Sequence, residues 1–536
     1  MIRKHAPLTL IVILILLMVG LGSVSSQENN ELSIGFSFVI VDSLDPGVTT
    51  SSGVEIIDQH VFDTLVLQKP LGTFHPGLAT EWSVNEDATE YTFNLRDDVT
   101  FHDGTPFNAD AVKFTFDRIV DPNLNSQMAY SFLGGTNYLE TEVVDDYTVI
   151  VRFDLPNAAF LDSLSHPQLG PVSPTAVEEL GENFGITGLV GTGPFKVESY
   201  NPESELVLVR NEEYNWGSEA VYGHTGPPLL ERITWNFIQE PGTRLAALES
   251  GEVDFIDAVP LLDVERLEED PNFVVLQFDQ AGHGRSLMFN QEKSPTDELA
   301  VRKAVAHAID KEATVDVVFH GYGSVACSAL THVMFGYDPA TCDYLPYDPE
   351  LSAQILDEAG WIMNEETGVR ERDGEPLQLH HYYRAGAWPN DDLATFIQQD
   401  LAAVGIDYVL HGETQQGYFD AVRAGEHHTQ NWWDTQTDPD GVMRTLFHSS
   451  NADGGTNRNR YRDEQMDMLI DTAAGIADRE ERAEAYATIQ EKIADEVIMV
   501  FLWDDVVLFA ADNSLQGIVT TGSGFTPVFY TATFAE

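Results

Sequence analysis

Residues 91–118 read YTFNLRDDVTFHDGTPFNADAVKFTFDR. Tyr91, Phe93 and Leu95 alternate with polar residues, the period-2 pattern of a half-buried strand. His102-Asp103-Gly104-Thr105-Pro106 gathers turn formers, with glycine free to take positive φ and proline fixing its own. Asn108 stands where an N-cap belongs, with Asp110 in the first helical turn. Val112, Phe116 and Ile119 then recur at helical spacing. The stretch predicts strand, turn and helix in one punctuated unit. His102 and Asp103 are read as stabilising the turn rather than holding a metal or doing catalysis.

Outward from this unit the chain keeps alternating strands and helices, which is an α/β pattern. Leu32, Ile34, Phe36 and Phe38 alternate ahead of LDPG at 44–47, and residues 54–67 place Val54, Ile57, Val61 and Leu65 on one helical face. Residues 145–153, DDYTVIVRF, predict a strand. GTGPF at 191–195 gives a tight backbone path into another strand; no GK[ST] follows, so it is not a phosphate loop. Strands at 232–237, 253–256 and 273–277 surround a helix at 243–250, and a loop is expected at 281–284. From Leu287 a second unit begins, with helices at 297–310, 351–359, 393–404, about 462–476 and about 480–496. An apolar strand pair is expected at 498–509, and Asp438-Pro439-Asp440 reads as a turn.

Several phrases in this order resemble one family. They are HDGTPF after YTFNLR, PGLATEW at 76–82, GTGPF at 191–195, NEEYNW at 211–216, the R..AL..G.VD spacing from Arg244, and R.A...AID from Arg302. The chain from about Leu32 to about Tyr530 is similar to the family 5 extracellular solute-binding proteins, the dipeptide-, oligopeptide- and nickel-binding components of ABC importers. The resemblance implies an α/β, two-lobed periplasmic-binding-protein-like fold (type II, cluster C) with an extra subdomain in lobe one. It implies lobe I over 31–64, the extra subdomain over 65–189, lobe I again over 190–282, lobe II over 283–510 and a return to lobe I over 511–536. A solute would sit between lobes that close by a hinge motion. The protein would capture a peptide or oligosaccharide-like solute and deliver it to ABC permease subunits, as a monomer, with no cofactor and no chemistry of its own. Two alternatives stay open: a nickel- or metal-complex-binding member of the same family, and a secreted hydrolase of polysaccharide or peptide.

Composition bounds these readings. The 536 residues exceed one core, so two or three domains are expected. A net charge of −59, spread along the whole chain, argues against nucleic acid as a partner, because phosphate neutralisation needs clustered Lys and Arg. The same charge suits an exported protein kept soluble at high salt, where repulsion is screened. Unfolding free energy is therefore expected to rise with salt concentration; a flat or falling denaturation midpoint would remove the high-salt reading. Residues 1–26 read as an export signal, with Arg3 and Lys4, an apolar run from Leu8 to Leu21, and small residues at 22–26. The run is short for a membrane span, and an uncleaved N-terminal anchor is the alternative. The expected location is periplasmic or on the outer face of the cell membrane. Cys327 and Cys342 are the two cysteines. Export favours a disulfide between them, worth about 3 kcal/mol in the chain-entropy picture, over two buried thiols.

A cleft binder needs an aromatic floor with a few convergent polar groups. Trp432-Trp433-Asp434-Thr435 is the leading candidate, since indole rings give large contact area at low entropy cost. Where peptide-binding relatives carry an aspartate for the ligand's ammonium, Thr435 occupies the slot by alignment on Pro439, and Asp434 lies one residue earlier. Strand alternation sends these two to opposite faces. Arg384 offers a bidentate clamp for a carboxylate; a solvent-facing salt bridge is the plainer reading. Trp388 and Tyr383 are nearby aromatics, and Asn290 ends a strand. No metal site is expected: His380-His381 and His427-His428 are adjacent pairs that a strand splits between faces. No G-x-S-x-G, H-E-x-x-H or S-x-x-K is present, so no catalytic residue is assigned.

Overall fold

Tyr91, Phe93 and Leu95 point inward from the strand Glu90–Leu95, as their alternation predicts, and pack with Val112, Phe116 and Ile119 from the helix Ala109–Ile119. Asn108 caps that helix, accepting from the Ala111 amide at 3.1 Å. This comes from a computed structural model that describes residues 30–38, 43–69, 71–521 and 526–535. The expected export signal lies outside the described residues, as do residues 39–42 and the last residue of the expected return segment. Among the described residues no helix is long and apolar enough to cross a membrane.

Glu90–Leu95 belongs to a four-stranded antiparallel sheet with Ala79–Val84, Thr148–Phe153 and Tyr138–Asp145. The HDGTP turn is structural: His102 makes two contacts to the GTGPF segment, its amide donating to Gly191 O and its ring bonding Gly193 O, both at 2.9 Å. Gly191 and Gly193 are required there, because a Cβ on either would lie within 3 Å of the Val61 carbonyl oxygen at the end of the helix Ser52–Val61.

Two larger sheets form the lobes. In the first, the order is Phe273–Asp279, Val506–Asp512, Phe255–Ile256, Glu31–Phe36, Arg232–Phe237, Glu205–Arg210 and Phe195–Asn201. In the second it is Ser324–Val325, Met499–Asp504, Gly282–Phe289, Thr429–Thr435, Gln378–Arg384 and Asp407–Glu413. Gly282–Phe289 is central and buried along its length. Leu287 and Phe289 enter one core and Met288 the core on the opposite face, as period 2 dictates. The architecture is thus a two-lobed α/β fold.

Four sequence expectations are corrected. The helix read over 54–67 ends at Val61, and Val66–Gln68 is a strand. The apolar pair at 498–509 is two strands of different sheets: Met499–Asp504 pairs with Gly282–Phe289, and Val506–Asp512 with Phe273–Asp279. The return to the first lobe therefore falls at Asp505, and a boundary at 510 lies inside a strand. Apolar composition marks a buried strand but does not name its partner. The loop expected at 281–284 is the start of Gly282–Phe289, with a bulge between His283 and Ser286. Asp438-Pro439 is not a free turn but the N-cap and first residue of the helix Pro439–Phe447, where proline's missing N–H costs nothing. Cys327 and Cys342 are bridged, with Cα atoms 4.7 Å apart.

Candidate functional site

The chain crosses between the sheets twice, and the crossings are side by side. The first runs through Gln280 and Ala281, the second through Asp505. The Gln280 amide donates to Asp505 O at 2.9 Å. Gln280 also donates through its side chain to the Thr435 hydroxyl. The end of Thr429–Thr435 is thereby tied to the hinge. Gly282 has φ of +124°, and a Cβ there would lie 2.3 Å from Asp434 O, so only glycine lets the two strands meet.

Trp432 and Trp433 lie on this strand with ring centroids 6.2 Å apart. Three guanidiniums gather on them. Arg458 lies 3.6 Å from the Trp432 centroid, Arg384 4.8 Å from that of Trp433, and Arg285 4.1 Å from Trp433. Such contacts hold an arginine in a fixed plane without neutralising it. Arg285 is buried and bonds Asp505 through Nε at 2.9 Å, while its Nη1 is buried with no hydrogen-bond partner. Arg458 bonds the Tyr418 hydroxyl at 3.4 Å. Burial lowers the pKa of Arg458, and the positive charge of Arg384 adds to that lowering. Burial raises the pKa of Asp434, against the pull of a hydrogen bond from Gln436 and the charge of Arg458.

The structure brings Trp432, Trp433, Asp434 and Arg384 together. Thr435 is adjacent but its hydroxyl bonds Gln280. Trp388 is half exposed and reaches the group indirectly, its ring meeting Trp503 edge-on at 6.4 Å, with Arg285 5.4 Å from Trp503. Tyr383 points to the opposite face from Arg384 and stacks on His381. Asn290 is not at this group. It is buried beyond the far end of its strand, donating to Gly425 O and His427 O, so its amide is used within lobe II. Sequence reading missed Arg285 and Arg458. Arg285, a charge inside the apolar run GRSLMF, was a legible signal; Arg458, in an irregular loop, left none.

A second lobe-to-lobe contact lies away from the hinge. His166 bonds Thr437 at 2.8 Å, and Thr437 donates to Asp162 at 2.6 Å. Burial lowers the pKa of His166, but hydrogen bonds and charge from Asp162 and Glu55 outweigh it and push it up to about 10. Beside Thr437, Arg482 clamps Asp438 with two hydrogen bonds of 2.7 and 2.6 Å. A recess in the first lobe near His166 is lined also by Asp63, Tyr214, Tyr222 and Tyr530. Its carboxylates are already spent: Asp63 accepts from Tyr214, Trp216 and Thr192, and Glu55 is bonded by His166. We therefore place the candidate site at the indoles, where donors are left over.

Two α/β lobes, two adjacent crossings and a charged aromatic cluster beside them define a hinged solute-binding protein. The profile of bacterial extracellular solute-binding proteins, family 5 Middle, matches residues 73–454, and the chain belongs to that family, the solute-binding proteins of ABC importers. It is similar to the heme-binding protein A of Haemophilus influenzae, 29% identical over 87% of this chain and 86% of that one. It is also similar to the dipeptide-binding protein of Escherichia coli K12, 27% identical over 84% of each chain. Among solved structures, HbpA2 from Haemophilus parasuis superposes with a TM-score of 0.83 at 26% identity, covering 94% of this chain and all of that one.

Proposed function

We propose that this chain is an exported, monomeric binding protein that captures a small solute against the Trp432–Trp433 strand and delivers it unaltered to ABC permease subunits. The observation that carries the reading is the position of that strand. Its end is hydrogen-bonded to one chain crossing through Gln280, and Arg285 links Trp433 to the other through Asp505. A solute seated there contacts the hinge, so occupancy and closure are coupled, and closed-form contacts supply the differential affinity that shifts the population. Relatives include proteins named for dipeptide, nickel, glutathione and heme, and one is named as periplasmic. These names support export and solute capture and leave the solute open between a peptide and an oligosaccharide-like molecule.

Isothermal titration with a solute panel tests this. Trp433→Ala removes the surface that orients two guanidiniums and is expected to weaken binding at least about tenfold, a modest share of a buried aromatic anchor's worth. Trp432→Ala is expected to act in the same direction. If both variants bind like the parent, the site is misplaced. Recovering the solute chemically unchanged after saturation separates capture from hydrolysis.

A further inference from the structure

We propose, resting on the site just described, that its solute carries two carboxylate groups, one for Arg384 and one for Arg458. The chain has 87 acidic and 28 basic residues, so an arginine without an acid partner is against the odds. Arg482, Arg444, Arg372, Arg370 and Arg118 are in ion pairs, whereas Arg302 is bonded to backbone carbonyls and Arg479 lies over Phe335. Arg384 and Arg458 are partly buried and form no ion pair among the described residues, and they lie over two indoles whose centroids are 6.2 Å apart; the charge of Asp434 reaches Arg458 without a salt bridge to it. Two like charges held near one another at the hinge call for an anion between them. Arg285 adds a second and independent observation. It is fixed at its Nε end by Asp505, and its Nη1 is a buried donor with no acceptor. A buried donor of this kind takes an ordered water, an ion or a ligand group as its partner, and an anionic ligand group beside it would serve.

The indoles fit this chemistry better than they fit a sugar. A guanidinium lies over Trp432, and two lie over Trp433, so the rings serve as the backing that fixes the arginines. A neutral oligosaccharide would leave those charges unanswered. A zwitterionic dipeptide would answer one of them and bring an ammonium group beside the other. Asp434 is a weak counterpart for that ammonium, because burial raises its pKa and its carboxylate already accepts from Gln436 at 3.2 Å.

Calorimetry on the mature chain would use dicarboxylates graded from malate to N-benzoyl-L-glutamate, with N-benzoyl-L-glutamine, dialanine and cellobiose as comparisons. At least one dicarboxylate is expected to saturate the protein. Its singly amidated analogue is expected to bind about tenfold or more weakly, as for loss of one charge-assisted clamp. Arg384→Gln and Arg458→Gln are each expected to weaken the dicarboxylate about tenfold or more and the amide analogue less. The Arg→Lys variants, which keep the charge, are expected to recover part of the loss, and urea midpoints check that all variants fold. Binding of cellobiose or dialanine with no response to any dicarboxylate overturns the proposal and leaves solute capture standing. Silence across the whole panel overturns the proposal and counts against solute capture as well. Equal affinity of parent and both Gln variants for a bound dicarboxylate also overturns it.

Discussion

Lowering the pH from 7 to 5 is expected to strip several kcal/mol from the stability of this protein. Six histidines are buried and neutral: His60, His102, His283, His427 and His428, each pushed down to about 4, and His381, pushed down to about 3, all chiefly by burial. Their hydrogen bonds show why. His60 Nε2 accepts from the Phe529 amide at 3.1 Å while Nδ1 bonds Ile56 O, so a second proton would break a bond the fold uses. The Nδ1 atoms of His102 and His427 are buried without a partner, and a charged ring there would go unanswered. An unfolded imidazole titrates near 6.5, so below that pH the unfolded chain takes up protons that the folded chain refuses. Stability attached to these groups is present above about 6.5 and lost as pH falls, levelling off only below the folded values.

By pH 5 the loss is about 2 kcal/mol for each such group. Asp63, pushed up to about 6 by burial, works in the opposite sense and offsets about one of the six, and Asp257, Asp438, Asp504 and Asp505, whose pKa values burial also raises, make the net loss smaller than the histidine sum. His166 does not join the loss, since the stability it contributes is present below about 6.5 and is lost as pH rises through about 10. Urea unfolding followed from pH 7 to 5 should show a midpoint that falls steadily. His381→Phe should flatten that slope by about one proton, whatever it does at pH 7. A His381→Phe variant whose slope matches the parent's would show that this ring is charged or exposed in the folded chain.

The second large effect concerns Arg482. Its guanidinium and the Asp438 carboxylate are about nine-tenths buried and joined by two hydrogen bonds. Asp438 also caps the helix Pro439–Phe447 by accepting from the Asp440 amide at 2.9 Å. Arg482→Met would leave that carboxylate buried without its counter-charge, at a cost of about 3–5 kcal/mol. Burial raises the pKa of Asp438, so part of the loss would be recovered by protonation at low pH. Adding Asp438→Leu should restore more stability than the first change leaves, apart from about 1 kcal/mol for the lost cap. A double-mutant cycle from denaturant midpoints gives the coupling. A loss under about 1 kcal/mol for Arg482→Met would mean that water reaches the pair and screens it. Thr437, next to Asp438, bonds His166 and Asp162 across the lobes, so the single variant should also weaken that contact.

Local order was legible from the residues alone. The alternation of Tyr91, Phe93 and Leu95, the Asn108 cap and the spacing of Val112, Phe116 and Ile119 each state a local geometry, and local geometry depends on neighbours a few positions away. Helices at 351–359, 393–404 and 480–496 were placed to within a few residues for the same reason. The pair Trp432-Trp433 was singled out as well, because adjacent tryptophans are a conspicuous phrase, but the Asp-Pro that follows was read as a turn and is a helix cap.

What the residues could not state was partnership over distance. Two successive apolar strands, Met499–Asp504 and Val506–Asp512, have similar composition, and only hydrogen bonding to strands more than two hundred residues earlier divides them between lobes. The same holds at the site. Arg285, Arg384 and Arg458 are scattered over more than 170 positions, and although Arg384 and Arg285 each stand out locally, no local pattern joins the three. Folding brings them onto two adjacent indoles and leaves two of them without an ion pair among the described residues and one with a buried donor that has no protein acceptor, which is what makes the group a candidate site. Sequence fixes which groups exist and their local conformation; charge, burial and hinge position at one point in space arise only when strands distant in the chain pair.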